Sequence, residues 1–123
     1  PNPALNYGYI VLRAAVARAL AGSGLLSSLG IHHRNRYNSF CLADDIMEPY
    51  RPYVDMLVSD MHEGGMNTEV LGKAEKAKLL KVLTCDVVIG KKKRPLMIAL
   101  SETTSSLAAC FEGTADRIKY PRF

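Results

Sequence analysis

The sequence has no apolar run of the roughly 20 residues that a membrane-crossing helix needs. Arg13 and Arg18 break its first hydrophobic stretch, and Pro49 and Pro52 break its second, so a soluble protein is expected. It begins at Pro1 rather than Met with no leader visible: Asn2-Pro3 runs straight into helical apolar periodicity, and a fragment of something longer is expected. It has little cysteine. Cys41, Cys85 and Cys110 are odd in number, sit in apolar surroundings and lack CxxC spacing, which argues against a disulfide framework and against a closed zinc site. A reducing cytoplasmic compartment follows most simply. Internal repeats and low-complexity tracts are also lacking.

What is present suffices for one domain with one continuous core: 123 residues, 48% of them hydrophobic. The formal net charge is +4 and the sequence pI ≈ 9.1. Much of the excess comes from Lys73, Lys76, Lys78, Lys81 and the run Lys91-Lys92-Lys93-Arg94. Such a surface permits a polyanionic partner without requiring one.

Apolar spacing predicts helices. From Ala4 to Ala21, Leu5, Tyr9, Leu12, Val16 and Leu20 recur at helical intervals, and Gly22-Ser23-Gly24 ends the pattern. A polar stretch, His32-His33-Arg34-Asn35-Arg36-Tyr37-Asn38, follows Gly30 with no hydrophobic period and reads as a functional loop. The next pattern runs from about Leu42 to Met61. Its prolines, Pro49 and Pro52, fit best in a first turn, which places the helix start near Asp44 or Asp45 with Asp44 as N-cap. Gly72 to about Leu83 predicts another helix, with Ala74, Ala77, Leu80 and Leu83 inward and the lysines outward. Asp86 to Ile89, Gly90 and the basic run predict a short β-hairpin. Pro95 then opens a last helix, as its first residue, whose apolar surface includes Leu96, Ile98, Ala99, Leu100, Leu107, Cys110 and Phe111 and ends at Gly113. The tail to Phe123 looks polar and loosely held. The expected fold is all-α: a compact bundle of about four main helices with at most one short hairpin near residues 86–94.

Chemistry concentrates around residue 45. On a helix Asp45 and Glu48 are three apart and Asp44 and Glu48 four apart, so Glu48 shares a face with one or both aspartates. The His32-His33 loop can fold back onto them. One imidazole with several carboxylate oxygens suits Mg²⁺ or Mn²⁺ better than structural zinc. An acidic first helical turn is equally favoured by the helix dipole, so spacing alone leaves both readings open.

Three segments carry a resemblance over nearly the whole chain. They are Asn2-Pro3-Ala4-Leu5-Asn6-Tyr7-Gly8-Tyr9, Leu29-Gly30-Ile31-His32-His33-Arg34-Asn35, and Leu42-Ala43-Asp44-Asp45-Ile46-Met47-Glu48-Pro49-Tyr50-Arg51-Pro52. In order and gaps they resemble the helical C-terminal domain of the CRISPR-associated adaptation integrases, and the His-His-Arg-Asn and Met-Glu-Pro-Tyr-Arg-Pro variants are most similar to those of single-effector systems. The resemblance implies a metal-dependent DNA endonuclease and integrase that inserts captured fragments into a CRISPR array. It places metal ligation on His33, which ends the Gly-x-x-His motif, and on Glu48, which ends Asp-x-x-Glu, with Asp45 supporting. The family's third ligand, a glutamate from an earlier helix, and its N-terminal β-rich domain would precede Pro1, so residues 1–123 are expected to be one helical catalytic-domain fragment, inactive alone. Implied partners are double-stranded and branched DNA, a second copy of the full-length protein, and the small companion adaptation protein.

Candidate DNA contacts are Arg34, Arg36 and Arg51 beside the site, Arg13 on the first helix, and Lys91, Lys92, Lys93 and Arg94 at the hairpin tip, where contact would be with backbone phosphate rather than bases. Arg51 is equally able to pair with Glu48 or Asp55, and Tyr7 and Tyr9 are expected to pack in the core. The competing expectation is a non-catalytic helical DNA-binding or scaffold module whose acidic helix start is only a cap.

Overall fold

The computed structural model describes residues 2–25 and 43–123. Helix α1, Pro3–Gly22, begins where the Asn2 side chain accepts hydrogen bonds from the backbone N–H groups of Ala4 and Leu5, at 2.8 and 3.2 Å. Asn2 thereby satisfies two donors that a helix start leaves without partners. The buried positions of α1 are Ala4, Gly8, Leu12, Val16 and Leu20. That unbroken four-residue interval makes a single ridge. Around this ridge, among the described residues, pack three further helices, α2 (Arg51–Glu63), α3 (Lys73–Leu80) and α4 (Leu96–Glu112).

The approach of α1 to α2 depends on a missing side chain. A Cβ built on Gly8 would lie 2.6 Å from Val54 Cγ1, so only glycine admits the observed contact.

The prolines of the second pattern divide a helical path without ending it. Residues 43–47 are helical, Glu48–Tyr50 tighten into a 3₁₀ turn, and α2 follows at Arg51. Met47, Tyr50 and Arg51 all keep right-handed helical dihedrals. Pro49 and Pro52 cannot donate to the carbonyl four residues back and would crowd it, and the tighter turn avoids both problems. Asp44 is therefore not an N-cap. It lies within the helical residues, and its carboxylate instead pairs with Arg13.

Helix α3 starts at Gly72, whose N–H donates to Glu75 Oε1 at 2.8 Å. Its inward face also differs from expectation. Leu79 is buried, with Val82 in the following 3₁₀ turn Lys81–Thr84, whereas Ala74, Ala77 and Leu80 are exposed and Leu83 is half-buried. The change from α to 3₁₀ at Lys81 shifts the angular phase, and contact with α1 selects Leu79.

Strands β1 (Asp86–Ile89) and β2 (Lys92–Pro95) form the expected antiparallel hairpin, with Ile89 opposite Lys92 and Gly90 at φ +62 in the turn. Val87 and Ile89 are buried, and β1 packs against α4. Pro95 closes β2 and α4 begins one residue later, at Leu96.

The tail is held, contrary to the expectation. Strand β3 (Pro121–Arg122) pairs with the free edge of β1, giving the order β2-β1-β3. Tyr53 donates its hydroxyl to the Arg122 carbonyl at 3.0 Å and meets the Phe123 ring edge-on at 4.9 Å. Pairing supplies partners for β1 backbone groups that a two-stranded hairpin leaves bare.

Helix α4 buries Leu96, Ala99, Leu100 and Leu107, and ends at Gly113 with φ +79, a left-handed cap. Ile98 and Phe111, expected inside, are exposed. Its polar inner residues have partners: Thr103 meets the buried Tyr50 hydroxyl at 2.7 Å, and Thr104 receives a hydrogen bond from Ser23 at 2.9 Å. The fold is mostly helical with one small antiparallel sheet. Among the described residues no helix is long and apolar enough to cross a membrane. Cys85 and Cys110 are free thiols, and Cys41 lies outside the described residues.

Candidate functional site

The middle of α1, residues 43–47, and the start of α2 meet along one edge of the molecule, and their polar side chains interlock there. Helix periodicity places Tyr9 and Arg13 one turn apart, beside the buried ridge. Arg13 Nη2 lies 3.2 Å from Asp44 Oδ1. Arg51 Nε lies 3.0 Å from Glu48 Oε2, one turn earlier on the same path. The Arg51 Nε–H is off the hydrogen-bonding line, so that contact is an ion pair only. The guanidinium carbon of Arg51 stands 5.0 Å from the Tyr9 ring centroid, within cation–π range. The Tyr9 hydroxyl in turn donates to Asp55 Oδ1.

That hydrogen bond, joined by partial burial and the Asp55 charge, pushes the Tyr9 hydroxyl up to about 12, while Arg51 pulls it the other way. Tyr9 is thus a fixed donor across the neutral range. The Glu48 side chain is 62% exposed and that of Arg51 37%, so a largely exposed carboxylate stands beside a half-covered guanidinium. Such a site offers hard oxygen to a cation and positive charge to a phosphate.

The sequence-derived site is brought together in part. Glu48 opens the 3₁₀ turn, Asp45 is exposed on the preceding helical residues, and Arg51 adjoins Glu48. His33, Arg34 and Arg36 lie outside the described residues. The Lys91, Lys92, Lys93 and Arg94 group occupies the hairpin, the three lysines exposed and Arg94 half-buried. Among the described residues, no hydrogen bond or ion pair links that hairpin to the Glu48 cluster.

Two features escaped sequence reasoning. Tyr9, expected in the core, is only half-buried and presents its polar end to Asp55; Asp55, considered as a partner for Arg51, serves Tyr9. Arg13, considered only for DNA, is paired with Asp44. Both links join residues remote in sequence, so local spacing carried no signal for them, although Tyr9 and Arg13 share a helical row.

The fit to a divalent cation follows from the donor set. The exposed carboxylates of Asp45 and Glu48 are the oxygen ligands that Mg²⁺ and Mn²⁺ accept. Among the described residues, no group of three or more His, Cys, Asp and Glu side chains converges as a ligand set.

Compared with known proteins, residues 1–88 match the family model for CRISPR associated protein Cas1. A CRISPR-associated endonuclease Cas1 of Neisseria meningitidis is 40% identical over 121 residues, 98% of this chain and 40% of the relative. One of Francisella tularensis subsp. novicida is 32% identical over 92 residues, covering 74% of this chain and 28% of the relative. One of Pyrobaculum aerophilum is 41% identical over 71 residues, covering 53% and 24%. The chain thus spans well under half the length of these relatives. No solved structure matches it.

Proposed function

We propose, from the premise that this chain belongs to the CRISPR-associated Cas1 family, that its full-length protein is a divalent-metal-dependent DNA endonuclease and integrase. It inserts captured DNA fragments into a CRISPR array, in the cytoplasm, as a homodimer joined by the small companion adaptation protein. The observation that carries this reading is the pair of carboxylate–arginine contacts, Asp44 with Arg13 and Glu48 with Arg51, in a chain matched over 98% of its length by a relative bearing the endonuclease name.

In the proposed reaction the 3′-hydroxyl of the incoming fragment attacks a target phosphodiester. A new phosphorus–oxygen bond forms as the one to the target strand's 3′ oxygen breaks. The number of phosphodiesters is unchanged, and no covalent intermediate with the protein is needed. Water in place of the 3′-hydroxyl gives the nuclease reaction on branched or double-stranded DNA.

His33 and Glu48 would hold Mg²⁺ or Mn²⁺, with Asp45 supporting and a third ligand, a glutamate from an upstream helix, supplied by the rest of the full-length protein. The bound cation supplies Lewis-acid stabilisation of charge on the phosphate. Arg51, as the ion-pair partner of Glu48, orients the carboxylate. Arg13, Arg34, Arg36 and Arg51 offer guanidinium forks to phosphates near the site, and Lys91, Lys92, Lys93 and Arg94 add non-specific backbone attraction farther along the DNA.

The test is Mn²⁺-dependent strand transfer of a short duplex into a supercoiled plasmid by the full-length protein. His33→Ala and Glu48→Ala are expected to abolish transfer and His32→Ala to retain most of it. Wild-type activity in either of the first two would show the ligand assignment to be wrong. One observation favours a second reading, a non-catalytic helical DNA-binding or scaffold module: Asp44 and Glu48 already have arginine partners. That reading requires DNA binding that weakens with salt and ignores metal.

A further inference from the structure

Glu48 stands on a bend, with its side chain largely in solvent, and a carboxylate so placed has several rotamers open to it. Its ion-pair partner among the described residues is Arg51, with Nε at 3.0 Å. Arg51 is itself a long side chain whose reach has to be fixed by something else. That something is the Tyr9 ring, 5.0 Å beneath the guanidinium, and Tyr9 is fixed by its hydroxyl on Asp55. The chain of contacts runs from α1 through Tyr9 to Asp55 and Arg51 on α2, and ends on Glu48. Its placement follows from the Gly8 contact: the backbone of α1 comes close enough to Val54 that the next residues on each helix, Tyr9 and Asp55, meet.

We propose that Tyr9 and Asp55 are positioning residues for Glu48, acting through Arg51, so that the carboxylate is pre-aimed before a cation arrives. This rests on the reading of Glu48 as a cation ligand. The geometry ranks the members. The ring face of Tyr9 is the direct support of Arg51, and the Asp55 hydrogen bond is support for that support. Loss of the ring should therefore cost more than loss of the hydroxyl. Removing an outer partner of a metal ligand weakens metal affinity by about 10–100-fold.

The experiment uses the full-length protein and two readouts: Mn²⁺ affinity by calorimetry without DNA, and the Mn²⁺ concentration giving half-maximal strand transfer. Tyr9→Leu is expected to lower the affinity and to raise the half-maximal concentration, each by about tenfold. Tyr9→Phe, which keeps the ring, should recover most of that, and Asp55→Ala should fall between. Tyr53→Phe, which removes a hydroxyl hydrogen bond from the same helix away from the cluster, should match wild type and so exclude a general loosening of α2. If Tyr9→Leu and Asp55→Ala keep wild-type Mn²⁺ dependence while Glu48→Ala loses it, the positioning role is overturned and the ligand reading survives. If Glu48→Ala itself binds Mn²⁺ as wild type does, the ligand reading fails and the positioning role falls with it. Should Tyr9→Leu fail to fold, Asp55→Ala decides by the same criterion.

Discussion

Two adjacent rows of residues on α1, each stepping by four, do opposite work. The inner row, Ala4, Gly8, Leu12, Val16 and Leu20, is buried on the helix that meets α2, α3 and α4. The neighbouring row carries Tyr9 and Arg13, which reach across to Asp55, Arg51 and Asp44. One row makes the fold; the other sets the geometry of the polar edge. Because both ride on one backbone, the edge is only as well placed as the core beneath it, yet the two should separate by mutation: the inner row governs stability, the outer row metal and DNA response.

The hardest break of that separation is Leu12→Ala. Leu12 is fully buried at the centre of the ridge, and truncation there is expected to cost about 2–5 kcal/mol. Chemical denaturation measures it; a loss below about 1 kcal/mol would remove Leu12 from the core.

Gly8→Ala sharpens the comparison because its sign is informative. In an exposed helix interior, alanine in place of glycine gains about 1 kcal/mol. Here the new Cβ would stand 2.6 Å from Val54 Cγ1, and overpacking of this kind costs about 1–3 kcal/mol. Destabilisation is expected, with Val54→Ala partly relieving it in the double variant. A stabilised Gly8→Ala protein would mean that the helices do not approach so closely.

Tyr50 tests whether polar atoms inside the core differ from those at the edge. Burial pushes its hydroxyl up to about 12, against the opposing pull of its Thr103 hydrogen bond. A raised folded-state value favours the neutral form, so the associated stability is complete below the ordinary tyrosine value near 10 and is lost as pH climbs toward 12. Tyr50→Phe is expected to lose about 1 kcal/mol at neutral pH and to flatten the alkaline fall in unfolding free energy.

These contrasts also mark how far the sequence could be read. The later part of the α1 ridge was legible because Leu12, Val16 and Leu20 are large apolar residues at one interval; its first part was not, since the small Ala4 and Gly8 are buried where Leu5 and Tyr9 were expected. Gly113 and the β1–β2 hairpin were legible from turn chemistry. The face of α3 was not: Ala74, Ala77 and Leu80 compete with Leu79 and Val82 for the inside, and only contact with α1 decides. Nor was β3, since two residues joined by backbone hydrogen bonds impose no side-chain period. At the polar edge the Glu48 and Arg51 pair was visible as a one-turn spacing. The Arg13 to Asp44 and Tyr9 to Asp55 links exist only once α1 has packed against residues 43–47 and α2.

The smallest expected effect concerns the Arg13 and Asp44 pair, and it limits what the outer row contributes to stability. Both side chains are more than half exposed, at 59% and 53%, with the charged atoms 3.2 Å apart. Water screens such a pair, and ordering two side chains offsets much of the attraction, so a double-mutant cycle of Arg13→Ala and Asp44→Ala should return about 0.2–1 kcal/mol at low salt and less as salt is raised. If the cycle instead returned several kcal/mol, insensitive to salt, the edge would be part of the core and the two rows would not be separable. If it returned the small value while Arg13→Ala still weakened DNA binding, the arginine's charge would be serving phosphate rather than Asp44. Ion pairing would then hold Arg13 ready between encounters without adding appreciably to the fold.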